Sequence, residues 1–192
     1  MNRHPIRGER GYSLVEMLTV MAILSVVLTG LTTLFVQGSN AELDMNRRFQ
    51  AQQEARVALD KLRREIHCAS SAATTPATGA APSVTLTLPS QCPTGSGSVS
   101  WCSGNIASGR YGLYRKVGAT CDATGVKWAD FLTEADLFQF LPSSTTSLAA
   151  LRVNIPVDVK PGDATPVYAL CDQIVLRNST RTGAGGDPLA AC

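Results

Sequence analysis

Six cysteines are the residues whose chemistry is easiest to assign in this chain of 192 residues, which has only two histidines. No two cysteines form the close C-x-x-C pairs typical of zinc sites, so disulfide bonds are favoured over a metal. Disulfides indicate an oxidising compartment outside the cytoplasm. Spacing alone does not select one pairing. The pairs we predict are Cys92–Cys102, Cys171–Cys192 and Cys68–Cys121.

The remaining reactive side chains form no catalytic constellation. His67 has no serine or cysteine nucleophile that the sequence can assign to it, so we predict a helix-end residue that favours the helix dipole. Asp158 and Asp163 flank a Pro-Gly turn where calcium could bind, but their spacing fits no calcium loop, and a turn is the better prediction. We therefore predict neither an enzyme nor a bound metal or cofactor.

Two further features have both a functional and a structural interpretation. The sequence Asn178-Ser179-Thr180 matches a glycosylation acceptor, a weak signal without knowledge of the host. Four aromatic residues could form a patch that binds sugars or a surface, but aromatic residues in strands more often pack within the sheet, and we predict packing. These four are Trp101, Tyr111, Tyr114 and Trp128.

One carboxylate, that of Glu16, stands at the start of a long apolar run. No charged residue follows it until Glu42, and residues 17–36 are mostly apolar. About 20 such residues cross about 30 Å of hydrocarbon. A charge at the centre of a membrane helix costs about 2.5–3.5 kcal/mol, and less near the interface, so Glu16 is expected to have a designated partner.

A single long helix must position Glu16. Arginines precede the apolar run and none follows for over twenty residues, which predicts an N-terminus in the cytoplasm and a C-terminal bulk outside. No proline interrupts the segment, and we predict one helix from Tyr12 to His67. Residues 12–40 would be the membrane segment and residues 41–68 an amphipathic continuation. The apolar stripe predicted for that continuation is Met45, Phe49, Gln52, Ala55, Leu59, Leu62 and Ile66.

Residues 69–192 have the pattern of an antiparallel sheet. A loop is predicted immediately after Cys68, followed by alternating runs at 83–88, 98–101, 110–117, 125–132, 137–141, 151–159 and 171–178. The helix stripe needs an apolar partner, which the sheet supplies, so the fold class is α+β. The inner face predicted for the sheet includes Val84, Leu86, Leu88, Leu151, Val153 and Ile174. This region carries eight basic and eight acidic residues, without the basic excess expected of a nucleic-acid binder.

The sequence Gly11-Tyr12-Ser13-Leu14-Val15-Glu16 resembles the processing signal of type IV prepilins, with tyrosine in place of the commoner phenylalanine. The resemblance implies that residues 1–11 are a leader, that a prepilin peptidase cleaves between Gly11 and Tyr12, and that the new amine of Tyr12 is methylated. It also implies the type IV pilin-like fold and a pairing of Glu16 with the terminal amine of a neighbouring subunit. Such a pair is better attested as a register device than as a source of stability.

Within that family the absence of a helix-kinking proline and the runs QQEARVALDKLRREIHCAS, LYRKV and DQIVLRN resemble J-type minor pseudopilins and related minor pilins. This resemblance implies a subunit near the filament tip that acts in filament assembly or initiation, in a type IV pilus, type II secretion or competence system. The implied partners are the prepilin peptidase, other minor and major pilins, membrane lipid and the inner-membrane assembly platform. After insertion the subunit would join a cell-surface or periplasmic filament.

Three alternatives remain open. A secretory signal peptide could be cleaved after the small residues around Ser39-Asn40-Ala41, leaving a soluble chain that begins at Glu42, although its apolar region would be unusually long. A plain single-pass anchor would explain the apolar run but leave Gly11 to Glu16 unexplained. A tip adhesin, or a pilin that binds a substrate or DNA through the β domain, is the alternative function.

Overall fold

The structure is a computed structural model that describes residues 11–160 and 167–181. The chain falls into two compact units, Met1–Asn46 and Arg47–Cys192. One helix, Leu14–Cys68, begins in the first unit and ends in the second. Its bounds differ from the predicted helix by two residues at the start and one at the end.

The second unit buries one face of the helix, which confirms the predicted stripe at Ala55, Leu59, Leu62 and Ile66 but not at its N-terminal end. Phe49 is 59% exposed, and Met45, which belongs to the first unit, is exposed as well, so the prediction was wrong for both residues. Alanines at the start of the buried face have side chains small enough to let the helix approach the sheet closely. The buried residues of the helix are Ala51, Ala55, Ala58, Leu59, Leu62, Glu65 and Ile66.

Nine strands form one antiparallel sheet within the described residues. Their order across the sheet is β1-β3-β4-β5-β6-β8-β7-β2, and β9 pairs with β8. The strands are β1 (Ser71–Thr75), β2 (Ala80–Ala81), β3 (Ser83–Leu88), β4 (Gly97–Ala107), β5 (Arg110–Val117), β6 (Val126–Leu132), β7 (Phe138–Leu141), β8 (Ala150–Val157) and β9 (Tyr168–Val175).

The predicted inner face of the sheet is confirmed, because the alternating apolar residues of β3, β8 and β9 are all buried. The same face holds Trp101 of β4, which is fully buried, and Leu113 of β5. Helix and sheet therefore share one core, as an α+β fold requires. The inner-face residues predicted from the sequence and found buried are Val84, Leu86, Leu88, Leu151, Val153 and Ile174.

The loop predicted after Cys68 was partly wrong, because it contains two strands. β1 pairs with β3 over five residues from Ser71 to Thr75, and β2 pairs with β7 through Ala80 and Ala81. β1 consists of serine, alanine and threonine, and β2 of two alanines. Alanine carries little strand signal of its own, so these short segments form strands because a neighbouring strand offers them hydrogen-bond partners.

Two of the predicted disulfides were wrong. The structure pairs Cys68 with Cys92 and Cys102 with Cys121. Cys102 lies five residues inside β4, at about 3.3 Å per residue, which takes it away from Cys92 in the loop before that strand.

Strand alternation also explains why Cys68 and Cys121 do not meet. Because neighbouring strand residues point to opposite faces, inward-facing Trp101 leaves Cys102 on the outer face, where the loop after β5 brings Cys121. Cys68 ends the helix on the inner face. Cys171 is also disulfide-bonded. Its predicted partner, Cys192, lies outside the described residues, so that pair stays a prediction.

Candidate assembly site

The N-terminal motif lies where the helix begins. Gly11, Tyr12 and Ser13 precede the helix, and the Ser13 carbonyl accepts the first helical hydrogen bond, from the Met17 amide at 3.1 Å. Ser13 is therefore the N-cap residue. The peptide bond between Gly11 and Tyr12 lies outside the helix, and the Tyr12 side chain is 85% exposed. A peptidase can bind such a segment without unwinding a helical turn.

Glu16 lies in the first turn of the helix, where a carboxylate interacts favourably with the helix dipole. Its side chain is exposed. Among residues 11–160 and 167–181, no side chain or backbone group forms a hydrogen bond or ion pair with its carboxylate. The residues on either side of it are exposed apolar ones, for example Leu14 at 80% and Met17 at 60%. The carboxylate thus stands within an apolar surface.

That apolar surface surrounds the helix through residue 36. Among the described residues, this is the one helix long and apolar enough to cross a membrane, with a mean hydropathy of 2.2 over its most apolar window. Its large exposed side chains include Val20, Ile23, Leu28, Leu31, Leu34 and Phe35. Exposed apolar surface on this scale indicates a membrane or protein partner.

The hydroxyl groups within the apolar run hydrogen-bond to the backbone of their own helix. Thr29 donates to the Ser25 carbonyl at 2.7 Å, and Thr32 to the Leu28 carbonyl at 2.8 Å. Thr19, Ser25 and Thr33 bond in the same way. Because these polar groups are satisfied inside the segment, they add little cost to burial in lipid or against other helices.

In the second unit, Glu65 joins the helix to the sheet. Its side chain is completely buried and accepts hydrogen bonds from the Trp101 indole at 2.8 Å and from Arg115 Nε at 3.0 Å. Arg115 Nη2 forms an ion pair with the same carboxylate at 2.8 Å. Lys61, one helical turn earlier, lies 3.3 Å away. Trp101 and Arg115 face each other across β4 and β5, so one carboxylate connects three elements. The sequence analysis missed this cluster. The sequence did contain a signal for it, because Glu65 lies one residue before Ile66 and three after Leu62, next to the predicted apolar stripe.

A second charged cluster holds a bend in β6. Asp130 accepts hydrogen bonds from Lys127 at 2.8 Å and from Arg110 at 3.1 Å, and it also accepts the Phe131 amide at 2.7 Å. Phe131 has a φ of 61°, an unusual backbone conformation for a bulky residue, and the Arg110 guanidinium lies 3.8 Å from its ring centre. Beyond this bend, Leu132 pairs with Tyr111 of β5 on one side and with Val157 of β8 on the other, so this end of β6 connects the two strands.

Electrostatics in this cluster follow from its hydrogen bonds. Burial alone raises the pKa of Asp130, but the hydrogen bonds from Lys127, Phe131 and Arg110 outweigh burial and hold that pKa below its ordinary value. The hydrogen bond to Asp130 in turn raises the pKa of Lys127. Both groups are charged at neutral pH, and the cluster has a structural role.

The other residues singled out in the sequence have local contacts. His67 lies in the last turn of the helix, and its Nδ1 atom is 3.0 Å from the Val175 carbonyl. The Asn178 amide donates to the Cys68 carbonyl at 2.7 Å. Asp158 accepts the Lys160 amide at 2.9 Å, as in a turn, while Asp163 lies outside the described residues. No cluster of three metal-binding side chains occurs in residues 11–160 and 167–181.

The four aromatic residues are not one surface patch. Trp101 is fully buried, and its ring centre lies 5.8 Å from that of Trp128. Tyr114 lies on the outer face of the β4–β5 hairpin, over Gly104 and Gly112, where an added Cβ at Gly104 would come within 2.8 Å of the ring. Trp101 and Tyr114 therefore pack within the sheet, as predicted for aromatic residues in strands.

Residues 6–32 match the model of the prokaryotic N-terminal methylation motif. This match supports a subunit of the type IV pilin family and implies processing by a prepilin peptidase. It covers the motif from Gly11 to Glu16 and much of the apolar run, and it leaves the β domain unmatched. No curated protein and no solved structure was found that matches the chain.

Proposed function

We propose that this protein is a minor pilin or pseudopilin, a subunit that acts in the assembly or initiation of a type IV filament. The observation that carries the proposal is Glu16, a carboxylate with no partner among the described residues, at the start of an apolar helix surface. An unpaired charge in a membrane or a helical bundle is costly, so it is retained where a partner binds it. The methylation motif at residues 6–32 supplies the family context.

The proposed partner of Glu16 is the terminal amine of a neighbouring subunit. Cleavage between Gly11 and Tyr12 creates a cationic amine four residues before a carboxylate, at the same end of every helix. One subunit's amine and the next subunit's Glu16 would neutralise each other and fix the axial offset between the two helices. Before assembly, residues 12–40 would anchor the subunit in the cytoplasmic membrane with its β domain outside.

The mature N-terminus tests the processing step. Mass analysis of the membrane-bound protein should find a chain that begins at a methylated Tyr12. A chain that begins at Glu42 would instead show a secreted, soluble protein and would contradict the proposal.

Replacing Glu16 tests the assembly step. Glu16→Ala should leave membrane insertion intact but reduce the number of filaments at least tenfold, about the factor expected from the loss of roughly 1.4 kcal/mol per subunit contact. Filaments would be counted by electron microscopy in the host strain, and insertion measured by carbonate extraction. Glu42→Ala, which removes an exposed carboxylate beyond the apolar run, is the matched control. A normal number of filaments in the Glu16→Ala strain would overturn the proposal.

A further inference from the structure

An open groove of about 450 Å³ lies beside the helix in the second unit. One wall is helical and consists of Gln50, Gln53, Glu54 and Val57, and Trp128 of β6 lines the other side. Because the four helix residues follow one another at steps of three, one and three, they share one face of the helix. All four are exposed, and none of the three polar side chains forms a hydrogen bond or ion pair with another described residue. These polar groups are therefore available to a ligand.

A β-bulge in β6 directs Trp128 towards this groove. Ala129 and Lys127 pair with successive residues of β5, which leaves Trp128 between them as an extra residue. Such an insertion changes the direction in which a strand side chain points. The ring centre of Trp128 lies 5.8 Å from that of Trp101, which is fully buried, so the bulged residue rests against the core while it lines the groove.

Trp128 offers the groove carbon surface. Its Nε1 atom is enclosed and has no hydrogen-bond partner among the described residues, so the part of the half-buried ring that reaches the groove is apolar. The amides of Gln50 and Gln53 each donate and accept hydrogen bonds, and the Glu54 carboxylate accepts them. A sugar meets both requirements, because its ring presents C–H groups on its faces and hydroxyl groups around its edge.

Other classes of ligand fit this lining less well. Of the described residues that line the groove, Glu54 alone carries a charge, and it repels phosphates, nucleic acids and acidic sugars. The neighbouring Lys127 donates to Asp130 at 2.8 Å and is already paired. A wholly apolar ligand would cover the amides and the carboxylate without giving them hydrogen bonds, which is unfavourable. The volume of the groove lies within the range of about 300–1,000 Å³ typical of small-molecule sites.

We propose that this groove binds a neutral saccharide, with one sugar ring against Trp128 and its hydroxyl groups hydrogen-bonded to Gln50, Gln53 and Glu54. The site belongs to the second unit and does not involve Glu16. It gives the subunit a recognition function beyond filament assembly.

Saturation-transfer NMR on the full chain tests the proposal. The protein would be held in a phosphocholine detergent, because glycoside detergents would compete, and the probes would be chitotriose and maltotriose, which are both neutral. We expect saturable binding of at least one probe. Trp128→Ala should weaken it about tenfold, and Gln53→Ala about three- to tenfold through the loss of a hydrogen bond. No saturable binding of either probe up to about 10 mM would overturn the proposal.

Gln173→Ala is the matched control, because Gln173 of β9 is also an exposed glutamine but does not line the groove. This variant should bind the probe as the unmodified chain does. Gln53→Ala removes an exposed side chain from the helix and leaves the core intact, so it tests the site independently of the contact between Trp128 and Trp101. Unchanged binding in Gln53→Ala, or an equal loss in Gln173→Ala, would contradict the proposal.

Photocrosslinking distinguishes a saccharide from a protein partner. A photoreactive residue in place of Gln53 would be introduced in the host strain and irradiated in assembled filaments. Probe binding without an adduct to another subunit is the expected result. An adduct to another subunit would show that the groove is a protein interface and that the proposal is wrong.

Discussion

Residues 14–36 and residues 51–66 belong to the same helix, but their apolar side chains have opposite surroundings. Leu31 is 58% exposed, whereas Leu62 is completely buried in the core of the second unit. The first segment has satisfied its backbone and hydroxyl groups but has no packing partner for its side chains. The second has found its partner within the chain. The exposed apolar side chains of the first segment are therefore the ones that a membrane or protein partner would cover.

Two of the four glutamates of the helix, Glu16 and Glu65, show the same difference. Glu65 is buried with three polar partners, and Glu16 is exposed with none among the described residues. The two carboxylates carry the same charge, but Glu65 makes its contacts within the domain, whereas the contact that we propose for Glu16 is with another subunit.

The largest expected effect is that of Glu65→Ala on the stability of the β domain. Removing one member of a buried ion cluster leaves Arg115 without its charge partner, and we expect a loss of about 3–5 kcal/mol in the free energy of unfolding. Denaturant titration of the full chain in detergent, followed by the fluorescence of the buried Trp101, would measure it. Glu16→Ala should leave this free energy unchanged. Equal losses in the two variants would remove the distinction between the two carboxylates.

A pair of leucines should show a smaller difference. Leu62→Ala creates a cavity in a packed core and should cost about 2–5 kcal/mol. Leu31→Ala removes an exposed side chain and should change the unfolding of the β domain by less than about 0.5 kcal/mol. The same denaturant titration compares the two variants. A loss above 1 kcal/mol for Leu31→Ala would mean that the first segment also contributes to the core of the domain.

The fold was largely predictable because its main helix and most of its strands have clear hydrophobic patterns in the sequence. The apolar run and the alternating patterns predicted the helix and seven of the nine strands, with bounds within about three residues of those observed, except that β4 continues six residues beyond the predicted run. The start of the buried helix face was not predictable from hydrophobicity, because the small Ala51 is buried while the larger Phe49 is exposed. Strands β1 and β2 were not predictable because they form only through pairing with β3 and β7.

The candidate site was predictable in part, for a different reason. Gly11 and Glu16 belong to a short local motif, which a sequence displays directly. The pairs Cys68–Cys92 and Cys102–Cys121 depend on strand order and on the face to which each side chain points. The spacing of the cysteines along the sequence indicates neither the strand order nor the face of each side chain. The Glu65 cluster was missed because its partners lie 36 and 50 residues further along the chain.

The smallest expected effect is on how the stability of the β domain depends on pH. Because the folded pKa of Asp130 is below its ordinary value of about 3.9, its ionised form stabilises the fold above that value, and this stabilisation is lost as the pH falls through the folded pKa. Asp130→Asn should therefore be less stable than the unmodified chain at neutral pH, and the difference should shrink below about pH 4. Asp122, whose pKa is lowered to about 2 by hydrogen bonds from Lys116 and Thr124, titrates in both chains and cancels in the comparison.

Thermal unfolding of the two chains between about pH 2 and 7 would measure the difference in stability. A difference that stays constant over this range would mean that the charge of Asp130 contributes nothing and that only its hydrogen-bonding geometry matters.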